Sequence, residues 1–226
     1  MQLAIFSDLH DNRTALTRVL RDAEQHQADR VLYLGDVGHD PWLFAALAED
    51  VDLCLFGNWE VSGLTRLPAD QRKMVGQWPA TATLGMACFC HATPAMPAQA
   101  ATTAQAAHLM ETGMTWNKLF PRLDRNEDAL WTALAELEEG NLRVAFHGHT
   151  HVQHLWAWTN AGAGARRLTA HLPESEEYVL TAGAAATANR YVIGVGSAGQ
   201  PQDGPDLRYV LYDDRSGAVR FRRLAR

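Results

Sequence analysis

An apolar run near the start of the chain ends abruptly in polar residues: Leu3-Ala4-Ile5-Phe6-Ser7-Asp8-Leu9-His10. Four consecutive apolar residues are typical of a strand that is buried on both faces of a sheet. The same form recurs at residues 31–36 and 53–58, and helical patterns at 14–27 and 41–49 separate the three segments. Strand, helix, strand, helix, strand predicts a layered α/β fold.

The rest of the chain adds one confident helix and a β-rich half. An amphipathic helix is predicted at 127–138, with Gly140 as its stop. Turn residues between the later apolar segments predict β-strands there, and the Ala- and Gly-rich stretches at 161–165 and 182–189 are predicted to be turns. We expect one domain over residues 1–226. The predicted strands of this second half lie at 86–90, 142–146, 152–158, 178–181, 191–195, 207–212 and 218–224.

Composition narrows the class of function. The chain has 226 residues, 47% of them hydrophobic and 20% charged, which is ordinary for a folded globular protein. A net charge of -6 gives no basic surface for extended nucleic acid, which disfavours a nuclease and leaves small phosphorylated molecules as partners. Three cysteines without zinc-finger spacing indicate a reducing compartment. With neither a signal peptide nor a membrane span in the sequence, the prediction is a cytoplasmic protein that does not contact a membrane.

Metal-binding residue types follow five of the predicted strands. The carboxyl ends of strands in an open α/β sheet border the ligand crevice, so these residues are expected to meet in space. Two pairs are spaced i, i+2, which in extended backbone would place both side chains on one side. Carboxylate, imidazole and amide ligands suit Mn, Fe, Zn, Co or Ni, and two such ions form a clamp for displacement at phosphorus. The predicted ligands are Asp8, His10, Asp36, Asn58, His91, His149 and His151, with Asp36 as the bridge between the ions.

The order of the motifs along the chain carries a family resemblance. They read Asp8-Leu9-His10, Gly35-Asp36, Gly57-Asn58-Trp59-Glu60, His91-Ala92-Thr93-Pro94 and Gly148-His149-Thr150-His151. In type and order they resemble the motifs of the calcineurin-like metallophosphoesterases, and residues 196–201 are similar to the C-terminal glycine motif of small bacterial members. The resemblance spans nearly the whole chain. It implies an α/β (α+β) fold, a four-layer α/β/β/α sandwich.

The resemblance also implies a cofactor and a reaction. The cofactor is two divalent metal ions, with manganese expected first and Fe, Zn, Ni or Co as alternatives. The reaction is hydrolysis of a small phosphoester by in-line attack of a metal-bridging hydroxide, with Asp36, His10 and His149 as the catalytic residues beside the developing charge. The ligands implied for the first ion are Asp8, His10, Asp36 and His151, and those for the second are Asp36, Asn58, His91 and His149.

One position departs from the family pattern. Many members have a histidine directly after the motif asparagine, where it can protonate the leaving group, and this chain has Trp59. An indole cannot act as a general acid at ordinary pH, and losing such an acid costs roughly 10²–10⁴ in rate for a poor leaving group. The departure favours a phosphodiesterase over a phosphomonoesterase.

Three further residues are candidates for substrate binding. They are Asn12, which could instead bond to its own turn, His39, which could also donate a proton, and Trp59, for which packing is an equal alternative. His147 is expected in the core or behind the ligands. A protein-binding scaffold on the same fold is the rival of another class, and it is disfavoured because every ligand position is filled. The sequence does not specify an oligomeric state.

Overall fold

The computed structural model describes residues 1–162, 165–173, 177–182 and 188–225. The helices are α1 Arg13–Gln25, α2 Pro41–Asp50, α3 Asn58–Gly63, α4 Ala69–Val75, α5 Thr103–Glu111, α6 Trp116–Leu119 and α7 Glu127–Glu139, with 3₁₀ turns at Leu64–Arg66 and Ala98–Ala100. The strands are β1 Gln2–Phe6, β2 Arg30–Tyr33, β3 Leu53–Cys54, β4 Thr81–Leu84, β5 Ala87–Cys90, β6 Val144–His147, β7 Gln153–Gly162, β8 Ala165–His171, β9 Glu177–Val179, β10 Arg190–Val195, β11 Leu207–Asp213 and β12 Ala218–Leu224.

These strands form two six-stranded mixed sheets. The order in the first sheet is β3-β2-β1-β11-β12-β9, and in the second it is β4-β5-β6-β10-β7-β8. β1, β2 and β3 run parallel to one another, as do β5, β6 and β10. The carboxyl ends of β1, β2 and β3 therefore lie together in one sheet, and those of β5 and β6 lie together in the other.

Alternation along β1 shows how the layers pack. Leu3 and Ile5 belong to a cluster that includes Phe89 and Phe146 of the second sheet, so the two sheets bury these faces against each other. Phe6, like Ala4, lies in a separate cluster with buried residues of α1 and α2. On the outer face of the second sheet, α7 packs against β5, β6 and β10. Helices therefore cover two packed sheets on both sides, as the four-layer prediction stated.

Elements with weak patterns were missed. β4 and β8 were not predicted, because their residues are mostly half-exposed and lack a continuous apolar run. The turn predicted at 161–165 is wrong at both ends, since β7 continues to residue 162 and β8 begins at 165. Residues 163–164, and 183–187 of the second predicted turn, lie outside the described residues.

Within the described ranges, no helix combines the length and the apolar character needed to cross a membrane.

Candidate metal centre

The backbone at the strand ends is left-handed rather than extended. The φ angles of Asp8, His10, Asp36, His149 and His151 are 59°, 44°, 66°, 63° and 60°. The argument from an extended i, i+2 pair was therefore wrong in its geometry, although each pair does point into one site. Left-handed backbone costs an L-residue roughly 1–2 kcal/mol, and such strain clusters at functional sites.

The glycine segment after β10 holds the first of these loops. The hydroxyl of Ser197 and the amide of Gly199 both donate to the carbonyl oxygen of Asp8, each at 2.9 Å. A Cβ on Gly199 would overlap the carbonyl oxygen of Leu9. The close backbone approach that fixes the Asp8 loop therefore requires glycine here.

Asp8, His10 and His151 form the first group of convergent side chains. Nε2 of His151 lies 3.1 Å from Nε2 of His10 and 3.3 Å from Oδ1 of Asp8. This Oδ1 is buried and has no hydrogen-bond partner among the described residues, whereas Oδ2 accepts the backbone N–H of His149 at 3.0 Å. A buried carboxylate oxygen without a donor is costly unless a cation completes the site.

Asp36, His91 and His149 form the second group, with Asn58 beside it. Nε2 of His91 lies 3.5 Å from Oδ2 of Asp36 and 3.1 Å from Oδ1 of Asn58. Oδ2 of Asp36 is also 4.0 Å from Nε2 of His10, which belongs to the first group. A single carboxylate oxygen thus faces both groups. The other oxygen, Oδ1, is held by the backbone N–H of Trp59 at 2.8 Å.

Backbone carbonyls orient the three later imidazoles. Nδ1 of His91 donates to Leu34 at 2.9 Å, and Nδ1 of His151 donates to Gln200 at 2.7 Å. Nε2 of His149 donates to Phe120 at 3.1 Å. These outer bonds leave the inner nitrogen of each neutral ring as a lone pair, which is the usual support of a metal-binding histidine. Lone pairs and carboxylate oxygens therefore converge, and the residues fit divalent ions of borderline hardness.

Burial and the charges within the site shift the pKa values of these groups in different directions. Burial alone would raise the pKa of Asp8, but the nearby imidazoles of His10 and His151 hold it well below its ordinary value. Burial likewise opposes charge on His91, yet the adjacent Asp36 raises its pKa to about 9. Burial, together with the charge of His91, lowers the pKa of His149 to about 4. The pocket therefore attracts positive charge, which protons or metal ions can supply.

Comparison with known proteins identifies the family. Residues 1–217 match the model of the calcineurin-like phosphoesterase superfamily domain. The chain belongs to this superfamily. Phosphoester hydrolysis is accordingly the activity expected of the family, with divalent metal ions and small phosphorylated substrates. None of the curated proteins matches the chain.

Solved structures agree on the fold of this calcineurin-like phosphoesterase. A metallophosphoesterase from Sphaerobacter thermophilus is 21% identical with a TM-score of 0.72, and the alignment covers 99% of this chain and 88% of the other. An archaeal phosphodiesterase is 13% identical with a TM-score of 0.54, covering 99% and 100%. At these identities the likeness shows the fold alone.

Glu60 supports the site of this calcineurin-like protein, a role that was not predicted from the sequence. Its buried carboxylate accepts the backbone N–H of Asp36 at 2.9 Å, of Val37 at 2.8 Å and of Gly57 at 2.6 Å. Burial and the charge of Asp36 raise its pKa to about 7, against the lowering effect of these bonds. Glu60 therefore ties together the loops that carry Asp36 and Asn58. The signal was present in the motif, where a glutamate stands three residues after a helix-starting glycine.

The predicted substrate residues lie in different surroundings. The side-chain oxygen of Asn12 caps α1 by accepting the N–H of Ala15 at 3.0 Å, so the local bonding that we considered is what the structure contains. His39 is exposed, and its ring centroid lies 4.9 Å from that of Trp59. The Trp59 and His10 rings are in T-shaped contact, with centroids 4.8 Å apart. A role in substrate binding stays a prediction for all three candidates.

His147 lies outside both groups. It is fully buried, and its Nε2 is 2.9 Å from Nε2 of His154. Burial lowers its pKa to about 4. This neutral pair belongs to the core, in agreement with the prediction.

Proposed function

We propose that the chain is a dinuclear metal-dependent phosphodiesterase that acts on small phosphorylated molecules. The observation that carries the proposal is Oδ2 of Asp36, one oxygen that faces two groups of metal-binding side chains. Two ions sharing a carboxylate are the arrangement used for in-line displacement at phosphorus.

The ligand sets follow the two groups. Asp8, His10, Asp36 and His151 would hold one ion, and Asp36, Asn58, His91 and His149 would hold the other, with manganese proposed first. When bound, the ions would supply an activated water nucleophile and neutralise charge on the phosphoryl oxygens.

The protein's own groups divide the remaining tasks. The N–H of Trp59 holds Oδ1 of Asp36, which leaves Oδ2 free to face both ligand groups. His149 donates its Nε2 proton to the carbonyl of Phe120, so this proton is not offered to substrate. His149 would therefore contribute to catalysis by presenting its inner nitrogen to the site. His10 borders the same space from the first group of side chains.

The preference for diesters rests on Trp59. Its indole occupies the position next to His10 where a histidine would be an acid, and it cannot protonate a leaving oxygen. His39 is the candidate proton donor beyond Trp59: its ring lies against the indole, with centroids 4.9 Å apart, and it is solvent-exposed. Esters with acidic leaving groups need such help least.

The test is metal content followed by turnover. Elemental analysis of protein loaded with Mn²⁺ should give about two ions per chain, and the protein should hydrolyse bis(p-nitrophenyl) phosphate far faster than p-nitrophenyl phosphate. Asp36→Asn should lose both metal and activity, whereas Asp70→Asn, at an exposed position on α4, should retain both. Fast turnover of the monoester with no diester activity would refute the preference. A folded protein that binds no metal and is inert would favour the scaffold.

A further inference from the structure

A cavity of about 200 Å³ lies beside the candidate metal centre. Its walls come from α2 and the loop before it, from α3 and from the residues that follow α3. The residues that give it its character are Trp59, His39, Phe44, Leu67 and Arg66. At this size it suits one ring system rather than a whole drug-sized ligand, for which pockets of roughly 300–1,000 Å³ are typical.

Trp59 connects this cavity to the metal centre. Its ring makes a T-shaped contact with that of His10, at an interplanar angle of 72°, and the same side chain lines the cavity. On the cavity side, the His39 ring lies at 35° to the indole with centroids 4.9 Å apart. A group in the cavity would therefore sit next to whatever is bound at His10.

The lining suits a planar aromatic group with polar edges. Phe44 and Leu67 supply apolar contact, and Trp59 supplies an aromatic surface. Glu60 is the carboxylate of the lining, but both of its oxygens already accept backbone N–H groups. Arg66 is exposed and forms no ion pair within the described part of the chain, so its donors are free for a ligand.

We propose that this cavity binds the nucleobase of a phosphodiester whose phosphorus lies at the metal centre. The proposal rests on the proposed function and names its substrate class, a nucleoside phosphodiester. Base stacking on an aromatic side chain tolerates every base, because each base has a π-face. The cavity therefore selects for a nucleoside rather than for one particular base.

Three esters with a common leaving group test the proposal. They are thymidine 5′-(p-nitrophenyl) phosphate, phenyl p-nitrophenyl phosphate and ethyl p-nitrophenyl phosphate, all releasing p-nitrophenolate. The thymidine ester should exceed the ethyl ester in kcat/KM by about 5- to 150-fold, the range that one base–aromatic stack supports. Trp59→Ala should bring this ratio close to one. Trp131→Ala, at a partly exposed tryptophan on α7, should leave it unchanged.

A second variant closes the cavity without removing the contact between Trp59 and His10. A Cβ on Gly63, which lines the cavity, would approach only the ring of His39, at 3.9 Å. Gly63→Leu should therefore fill the cavity and bring the ratio of thymidine to ethyl ester close to one.

A binding measurement separates failure of the cavity from failure of the proposed function. In saturation-transfer NMR with metal-free protein, thymidine should receive saturation on its base protons, and Gly63→Leu should abolish the signal. Thymidine binding without hydrolysis of any diester would support the cavity as a nucleobase site and refute the proposed phosphodiesterase function. Diester hydrolysis with a thymidine-to-ethyl ester ratio near one and no thymidine signal would refute the nucleobase site and leave the proposed function standing. A phenyl ester as good as the thymidine ester would overturn the nucleobase assignment.

Discussion

Replacing Glu60 by glutamine tests how the site is held together. The buried carboxylate serves three backbone N–H groups, of Asp36, Val37 and Gly57. A glutamine amide has a single acceptor oxygen. If that oxygen serves Asp36 and Gly57, as Oε2 does in the native chain, the amide NH₂ faces the N–H of Val37 and leaves this donor unsatisfied.

The cost follows from these three bonds. An unsatisfied buried N–H costs roughly 1–3 kcal/mol, and the other two bonds lose about 1 kcal/mol each when their acceptor becomes neutral. The raised pKa of Glu60 means that burial and Asp36 disfavour the ionised carboxylate, so above a pH of about 7 removal of the charge offsets most of these losses. Below that pH the native side chain is itself neutral, and the unsatisfied N–H of Val37 is the remaining cost. We expect Glu60→Gln at pH 5.5 to lower the free energy of unfolding by about 1–3 kcal/mol, against the roughly 5–15 kcal/mol typical of a native protein.

Urea unfolding at pH 5.5, below the pKa of about 7, measures the effect with the native carboxyl group neutral, as the glutamine is. Glu49→Gln, at an exposed position near the end of α2, is the matched control and should stay within about 0.5 kcal/mol of the native chain. Metal content should fall in Glu60→Gln and not in the control. If Glu60→Gln unfolds at the native urea concentration and binds the native amount of metal, the support role is wrong.

Three further outcomes follow from the structure. Gly199→Ala should push the carbonyl of Leu9 away, lowering metal content in elemental analysis and stability by about 1–3 kcal/mol, and unchanged metal content would contradict this. Asp22 accepts hydrogen bonds from Arg222 and Tyr209, which outweigh burial and hold its pKa below the ordinary value. The contribution of Asp22 to stability is present above its unfolded pKa and is lost as pH falls through its folded pKa. Asp22→Asn should therefore lower the free energy of unfolding at pH 7, and in urea unfolding this free energy should fall less on acidification than in the native chain. Burial raises the pKa of all three cysteine thiols, so Ellman's reagent should react with none in the native protein at pH 8 and with all three in urea; fast native reaction would contradict this.

The sequence predicted the elements whose hydrophobic pattern is continuous. Short apolar runs such as 3–6 and 31–34 contain buried strand residues, and the polar residues after them do meet at one edge, because parallel pairing aligns the carboxyl ends. β8 could not be predicted in this way, because its residues are half-exposed or exposed and do not bury one face.

The metal-binding residues were predictable by type, but their geometry was not. Left-handed φ values at Asp8 and His10 depend on tertiary bonds such as that from Ser197, which is nearly two hundred residues away. The role of Glu60 depends likewise on N–H groups brought together from two loops. Asn12 had two open interpretations, and only the contact with Ala15 shows which bond it makes.

We propose that two metal ions would share one oxygen of Asp36. Crystals grown with Mn²⁺ and measured near the manganese absorption edge provide the most direct test. The anomalous difference map should contain two peaks, one among Asp8, His10 and His151 and one among Asn58, His91 and His149, with Oδ2 of Asp36 between them. A single peak, or peaks away from these residues, would contradict the account.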